Sequence, residues 1–243
     1  MEQGALTFVV AALVGYLCGA VPFGVLVARA KGVDITRTGS GNIGATNVGR
    51  VLGPWTGRLV LFLDILKGFA PTLGFLWFYR LTDYGLKPAV FTGFFAIAGH
   101  IASPFLLFRG GKGVATTVGV FGVLLGGWIV LPLAVWLVLA KVTRYVSVGS
   151  IAMALCLPPA AWLQWKGSAD AGWIVGLGAV VAAIVIFRHR GNIMRLLQGE
   201  EHRYGERKTE SSDEQDPTGG NAPDSSTAAG PEPASVGADG KDS

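Results

Sequence analysis

The chain has 243 residues, of which 51% are hydrophobic and only 15% charged, with a mean hydropathy of +0.48. That is more apolar surface than a water-soluble domain of this size needs, so a soluble globular fold is excluded and the chain is an integral membrane protein, all-α and polytopic. The net charge of +4 is no nucleic-acid signal, because the lysines and arginines sit at the ends of apolar segments, where they orient the chain and meet lipid headgroups.

The first apolar segment runs from Ala5 to Ala30. It lacks the basic start and the small-residue cleavage site of a signal peptide, so it is read as retained. Its Gly15, Gly19 and Gly24 predict close helix packing. Cys18 here and Cys156 further on lie inside apolar runs, giving neither a disulfide framework nor metal-ligand spacing. A polar stretch follows from Asp34 to Arg50, dense in hydroxyls, amides and glycines, with Ser40, Asn42, Thr46, Asn47 and Arg50 able to orient a polyol or phosphate at the membrane face. The second segment, Leu59 to Tyr79, carries Asp64 and Lys67 at i, i+3, which share a helix face and are read as a structural ion pair. After a turn from Arg80 to Lys87 comes the third, Pro88 to Phe108, with His100 some two to three helical turns before the next polar loop.

That loop is Phe108 to Thr117. Gly110, Gly111 and Gly113 surround Lys112, and an apolar run from Val114 predicts a helix start, so backbone N–H groups, a dipole end and an ammonium meet at one spot suited to phosphate. No glycine stands at position 106, where a nucleotide-triphosphate loop would need one, and no strand precedes the loop. Val114 to Ala140 is too long for one crossing and breaks at Gly126 and Gly127, so it is read as two helices. A polar turn from Lys141 to Ser150, with Ser147, precedes the last two segments, Ile151 to Trp165 and Gly172 to Phe187, making seven. Beyond them, His189, Asn192 and Arg195 fall on one face of an amphipathic segment, while Arg188 and Arg190 read as a clamp on anionic lipid. The expected division is a membrane domain over residues 1–208 and a disordered tail over 209–243, too poor in large apolar side chains to fold.

Counted by alternate loops, the basic residues gather on the side of the polar stretches, while the other side has only Arg80, Lys87 and Lys166. The polar side is therefore cytoplasmic, the N-terminus outside and the C-terminus inside. The cytoplasmic face collects hydroxyls, amides, cations and His189 but few carboxylates, which disfavours divalent-metal phosphoryl transfer and favours recognition of an anionic, amphiphilic substrate.

Three motifs resemble those of the bacterial acyl-phosphate:glycerol-3-phosphate acyltransferases: Gly39 to Asn47 with Arg50; Gly99-His100 followed by Gly110 to Thr116; and His189-Arg190 with Asn192, Arg195, Leu196, Gly199 and Glu201. Arg144 to Ser147 is similar to the family's inter-helix turn, and the resemblance spans about residues 5 to 205. In one departure, Ala102 and Ser103 stand where the family usually has an aromatic and then Pro, with Pro104 shifted by one. The resemblance implies a seven-helix bundle in the bacterial inner membrane that transfers a fatty acyl group from acyl phosphate to the 1-hydroxyl of sn-glycerol 3-phosphate, with no cofactor or metal; a monomer is the expected working unit. It further implies that Ser40, Arg50, Lys112, His189 and Asn192 serve catalysis. Asn42, Thr46, Asn47, His100, Gly110, Gly111, Gly113, Thr116, Ser147 and Arg195 bind substrate on the same footing, and Glu201 is structural.

On physical grounds direct attack is favoured over an acyl-enzyme. Acyl phosphate already carries a good leaving group, so orientation of two anions and oxyanion stabilisation are the main needs. The proton acceptor is either the departing phosphate, which is preferred, or His189. An acyl-enzyme on Ser40 is the weaker option, because no activating partner neighbours it in sequence, although the fold could bring one to it. A transporter is the rival class, but no internal repeat is visible. The His-x-x-x-x-Asp signature of thioester-dependent acyltransferases is absent, since Phe105, Met194 and Arg207 occupy the acid's position after His100, His189 and His202.

Overall fold

The computed structural model describes residues 2–79 and 82–203, all of whose regular elements are helical. The expected tail over 209–243 lies outside the described residues. The first apolar segment forms α1 (Glu2–Ala20) and α2 (Phe23–Arg29), interrupted at Pro22, which has no N–H to continue the ladder and disfavours helical backbone at Val21. Two carbonyls at this break take side-chain donors from distant segments: Ala20 O accepts from Ser103 Oγ, just after α5, at 2.6 Å, and Val21 O accepts from Lys67 Nζ at 2.9 Å besides the local Phe23 N–H. In an apolar surround an unpaired carbonyl costs free energy of the order of a lost hydrogen bond, so these contacts fix where α1 stops.

α3 (Ala45–Leu52) is short, and α4 (Pro54–Tyr79) spans 26 residues. α5 (Lys87–Ile101) ends in a 3-10 turn over Pro104–Leu106. α5 lies tightly on α1, where glycine lets the backbones touch: a Cβ on Gly15, Gly19 or Gly99 would overlap the carbonyl oxygens of Thr92, Ala96 and Tyr16 respectively. Gly24 of α2 meets Ile43 O in the same way, in accord with the packing expected from the glycine spacing.

α6 (Val114–Leu125) and α7 (Val130–Thr143) are separated by a 3-10 turn over Gly126–Ile129, where Gly126 takes φ 53°. Six helical stretches among the described residues are long and apolar enough to cross a membrane, and Val114–Thr143 is one of them. A straight helix of that length measures roughly 45 Å. Yet Val114 at its start and Val146 and Ser147 just beyond its end line the same cavity. The stretch therefore doubles back at Gly126, with α6 packed on α4 and α7 on α8 (Val146–Trp165). α9 (Ala171–Arg188) and α10 (Arg190–Gln198) complete the bundle.

Ile97, Phe121, Leu124, Leu157, Ile174 and Val181 form a buried core between α5, α6, α8 and α9. A second cluster of Val25, Ile35, Ile43, Val48 and Val60 seats the polar 34–50 stretch on α2 and α4, which is why so hydrophilic a segment is ordered. Outward-facing Leu13, Phe62, Trp77, Val138 and Trp162 are exposed, as a lipid-facing surface requires.

If the α1/α5 contact is as tight as its glycines indicate, Gly19→Val and Gly99→Val each cost about 1–3 kcal/mol or more, while Gly176→Ala on the open face of α9 is neutral or slightly stabilising. Thermal unfolding in detergent distinguishes the two classes.

Candidate active site

Asn47 organises the first polar stretch from inside. Its Oδ1 accepts from Ser40 N at 2.9 Å, and its Nδ2 donates to Thr38 O at 3.0 Å and to Ile35 O at 3.4 Å. It is buried, and these contacts occupy its amide with backbone. Asn42 likewise accepts from Gly44 N at 2.9 Å. Ser40, Thr46 and Arg50 are left exposed around the cavity, and Arg50 makes no ion pair with any described residue. The Ser40 hydroxyl has no histidine or carboxylate partner among the described residues.

The glycine loop is held by both edges. Gly110 N donates to Ile101 O at 3.0 Å and Gly111 N to His100 O at 3.2 Å, while Arg188 Nη2 donates to Gly110 O at 2.8 Å and Gly111 O at 3.0 Å. This corrects two expectations. The amides of Gly110 and Gly111 are not free for an anion, and Arg188 is not spent on lipid. Gly111 is small because the His100 ring lies beneath it, where a Cβ would overlap Nε2. The loop amides that have no hydrogen-bond partner among the described residues run consecutively from Lys112 to Thr116, into the first turn of α6, and Gly113 at the N-cap supplies no side chain to satisfy them. Thr116 itself lies with its hydroxyl fully buried behind the cavity wall, so it builds the site without lining it.

From the opposite side come α8, α10 and the residues after it. Gly199 adopts φ 77°, and Glu200 N bonds back to Arg195 O at 2.8 Å, reversing the chain so that Glu201 folds under α10. Glu201 Oε1 accepts from Ser147 Oγ at 2.8 Å and Asn192 Nδ2 at 2.5 Å, and Oε2 from Arg195 Nε at 2.9 Å. Asn192 Oδ1 in turn accepts from Lys112 Nζ at 2.5 Å, closing a network between the glycine loop and the C-terminal motif. Burial alone raises the Glu201 carboxyl, but hydrogen bonds from Asn192, Ser147 and Arg195 outweigh it and hold the group below the usual carboxylate range. Burial pushes the Lys112 ammonium down to about 8, with Glu201 opposing and Arg195, Arg188 and Arg50 reinforcing. Burial, helped by the Lys112 charge, pushes the His189 imidazole down to about 4. Its Nδ1 lies 2.8 Å from Val185 O, a pure acceptor, so Nδ1 carries the proton and Nε2 the lone pair.

These parts enclose one cavity of about 560 Å³. Its polar wall holds Ser40, Arg50, Lys112, His189, Asn192 and Arg195; its apolar wall holds Leu61, Ile65, Val118, Leu133, Trp136 and Met153 from α4, α6, α7 and α8. Asn42, Thr46, Asn47, His100, Gly113, Ser147 and Glu201 also border it, whereas Gly110, Gly111 and Thr116 do not. Asp64 lies at its floor, paired to Lys67 at 2.8 Å in the buried bundle and 3.7 Å from His100 Nδ1. The Asp64–Lys67 pair thus has a structural task at the α1/α2 break, in line with the sequence expectation. The Ala102-Ser103 departure is also accounted for: Tyr16 Oη donates to Ala102 O at 2.6 Å, and the buried Ser103 hydroxyl ties α5 to the end of α1. Arg188 was invisible to sequence reasoning, because its partners are backbone carbonyls 77 and 78 residues away.

The family described as Glycerol-3-phosphate acyltransferase matches residues 9–199. The chain is similar to the glycerol-3-phosphate acyltransferase of Aquifex aeolicus, 41% identical over 191 residues that cover 78% of this chain and 95% of the relative. Two crystal structures of PlsY, an integral membrane glycerol 3-phosphate acyltransferase, are similar throughout the bundle. The glycerol 3-phosphate form gives a TM-score of 0.73 at 38% identity, covering 82% of this chain and 96% of that one; the lysophosphatidic acid form gives 0.71 at 39%, covering 82% and 95%.

Removing the acceptor shared by Ser147, Asn192 and Arg195 leaves three donors facing one another. Glu201→Ala is expected to lower the melting temperature by about 5 °C or more. Glu201→Gln, which keeps an acceptor oxygen, costs clearly less in the same measurement.

Proposed function

The chain belongs to the glycerol-3-phosphate acyltransferase family, and we propose that it transfers a fatty acyl group from an acyl phosphate to the 1-hydroxyl of sn-glycerol 3-phosphate, giving lysophosphatidic acid and inorganic phosphate. The observation that carries this reading is the row of unpartnered amides from Lys112 to Thr116 beside the Lys112 ammonium, in a cavity whose other wall is apolar. A helix N-terminus with a cation suits a phosphate, and an apolar wall suits an acyl tail.

In this reading the glycerol-phosphate anion rests on Lys112 and the amides of the α6 start. Arg50 and Arg195 offset the charge of the second anion, the acyl phosphate, and stabilise the oxyanion that forms at the acyl carbon. The 1-hydroxyl oxygen bonds to that carbon, the carbon–oxygen bond to phosphate breaks, and the hydroxyl proton leaves with the phosphate. A phosphate whose second pKa is about 6 is a better proton acceptor than His189 at about 4. His189 Nε2 is then an acceptor that orients the glycerol hydroxyls. Ser40 without an activating partner supports contact with substrate rather than an acyl-enzyme. All these groups come from one chain, which is consistent with a monomer. The doubled-back α6–α7 stretch gives seven crossings, and the basic residues on the cavity side support a cytoplasmic site, an outside N-terminus and a place in the cytoplasmic membrane.

Purified protein in nanodiscs, given glycerol 3-phosphate with either palmitoyl phosphate or palmitoyl-coenzyme A, tests the donor. Equal release of lysophosphatidic acid and phosphate from the acyl phosphate alone, with a strongly raised KM for glycerol 3-phosphate in Lys112→Ala, is the expected outcome. Turnover only with the thioester sinks the donor assignment, and phosphate release without acylated product makes the protein a hydrolase.

The pH dependence follows from Lys112. Its cation is present below its pKa of about 8 and lost as pH rises through it. Accordingly kcat/KM for glycerol 3-phosphate falls above about pH 8. In Lys112→Arg any residual activity lacks this limb, and in Glu201→Gln the limb moves to lower pH because the anion that stabilises the ammonium is gone. A limb that stays put in Lys112→Arg assigns it to another group.

A further inference from the structure

We propose that Arg188 is a positioning residue for glycerol 3-phosphate binding, acting through the glycine loop whose two carbonyls it holds. The inference rests on the proposed function in taking the α6 start as the phosphate site. In a trans peptide the C=O and N–H point in opposite directions, so fixing one fixes the other. At the Gly110–Gly111 peptide both ends are seen: the carbonyl meets Arg188 and the N–H meets His100 O. At the next peptide, Gly111 O meets Arg188 at 3.0 Å, and the Lys112 N–H on the opposite edge has no partner. That amide opens the run of five unpartnered donors ending at Thr116. Arg188 thus sets the orientation of the first donor in the cradle and, through the chain direction at Lys112, of the ammonium beside it.

One Nη2, whose two hydrogens lie in the rigid guanidinium plane, bridges two successive carbonyls; a lysine ammonium has enough donors but ends closer to its own backbone on a flexible stem, so it does not hold both carbonyls in place. The Gly110–Gly111 plane keeps its bond to His100 O without the clamp, but the Gly111–Lys112 plane has Arg188 as its one hydrogen-bond partner among the described residues and, with glycine before it, is free to rotate once Arg188 is gone. The Arg188 Nε is buried without a protein partner, and Arg188 borders the cavity. Direct contact with the anion is therefore the competing role, and the test has to separate the two.

Steady-state kinetics on Arg188→Lys, Arg188→Ala, Lys112→Ala and the Arg188→Ala/Lys112→Ala double variant does so, with glycerol 3-phosphate and acyl phosphate varied in turn. Arg188→Lys is expected to raise KM for glycerol 3-phosphate roughly tenfold or more while the KM for the acyl donor and the melting temperature stay near wild type. Millimolar guanidinium restores part of the affinity in Arg188→Ala and none in Lys112→Ala. The double variant loses markedly less than the product of the two single losses, because both act on one loop. Wild-type affinity in Arg188→Lys, or losses that multiply independently, overturns the positioning role. An unchanged KM for glycerol 3-phosphate in Lys112→Ala instead overturns the phosphate site on which it rests. Should Arg188→Ala fail to fold, the lysine variant alone decides.

Discussion

A backbone carbonyl released inside a membrane must find a donor, and the rest of this structure follows from how the break at Pro22 meets that requirement. Ser103 and Lys67 supply the donors. Lys67 is a charge in an apolar bundle and needs an anion, which Asp64 provides one turn earlier on the same helix. Asp64 then faces His100, and His100 supports Gly111 from below while its carbonyl anchors the Gly111 amide. A defect in α1 is thereby connected, contact by contact, to the floor of the cavity.

The second constraint is charge. Arg50, Lys112, Arg188 and Arg195 crowd one cavity, and their like charges repel one another. Glu201 answers the repulsion without filling the cavity: its two oxygens take three donors from α8 and α10, and its charge reaches Lys112 through Asn192. Gly199 turns the chain back under α10, which brings the Glu201 carboxylate to the cavity border with its oxygens directed at Ser147, Asn192 and Arg195. A cavity rich in cations therefore has two carboxylates at its border, Glu201 tied to α8 and α10 and Asp64 paired with Lys67.

The parts of this arrangement legible in the sequence are those written in local composition. Apolar runs marked the helices, the Gly126-Gly127 pair marked the reversal, and glycines 15, 19 and 24 marked the close contacts. Lys112 beside a helix start marked the free amides. What stayed hidden depends on backbone groups, which every residue carries alike. Gly110 and Gly111 read as anion donors until the structure gave their amides to α5 carbonyls. Asn47 read as a substrate ligand, yet its amide bonds to the backbone of Ile35, Thr38 and Ser40. Arg188 and Arg190 looked alike in sequence, but Arg188 grips the glycine loop while Arg190 stacks over Phe187.

The division of labour between these residues explains why the cavity has so few groups suited to covalent or acid–base work. His189 is held neutral by burial and by the nearby ammonium, with its Nδ1 proton spent on Val185 O. The Ser40 hydroxyl lacks a base, and the one carboxylate among the motif residues is saturated with donors. Such a set contributes little to bond breaking by itself, and in the reading proposed above it serves to hold two anions in position. Chemistry that depends on orientation needs a substrate already activated for transfer. A mixed anhydride meets that need, because its leaving group departs as a stable anion and is itself able to take the proton. In that reading the rigidity of the loop, fixed by bonds to Ile101, His100 and Arg188, matters more than the basicity of any side chain.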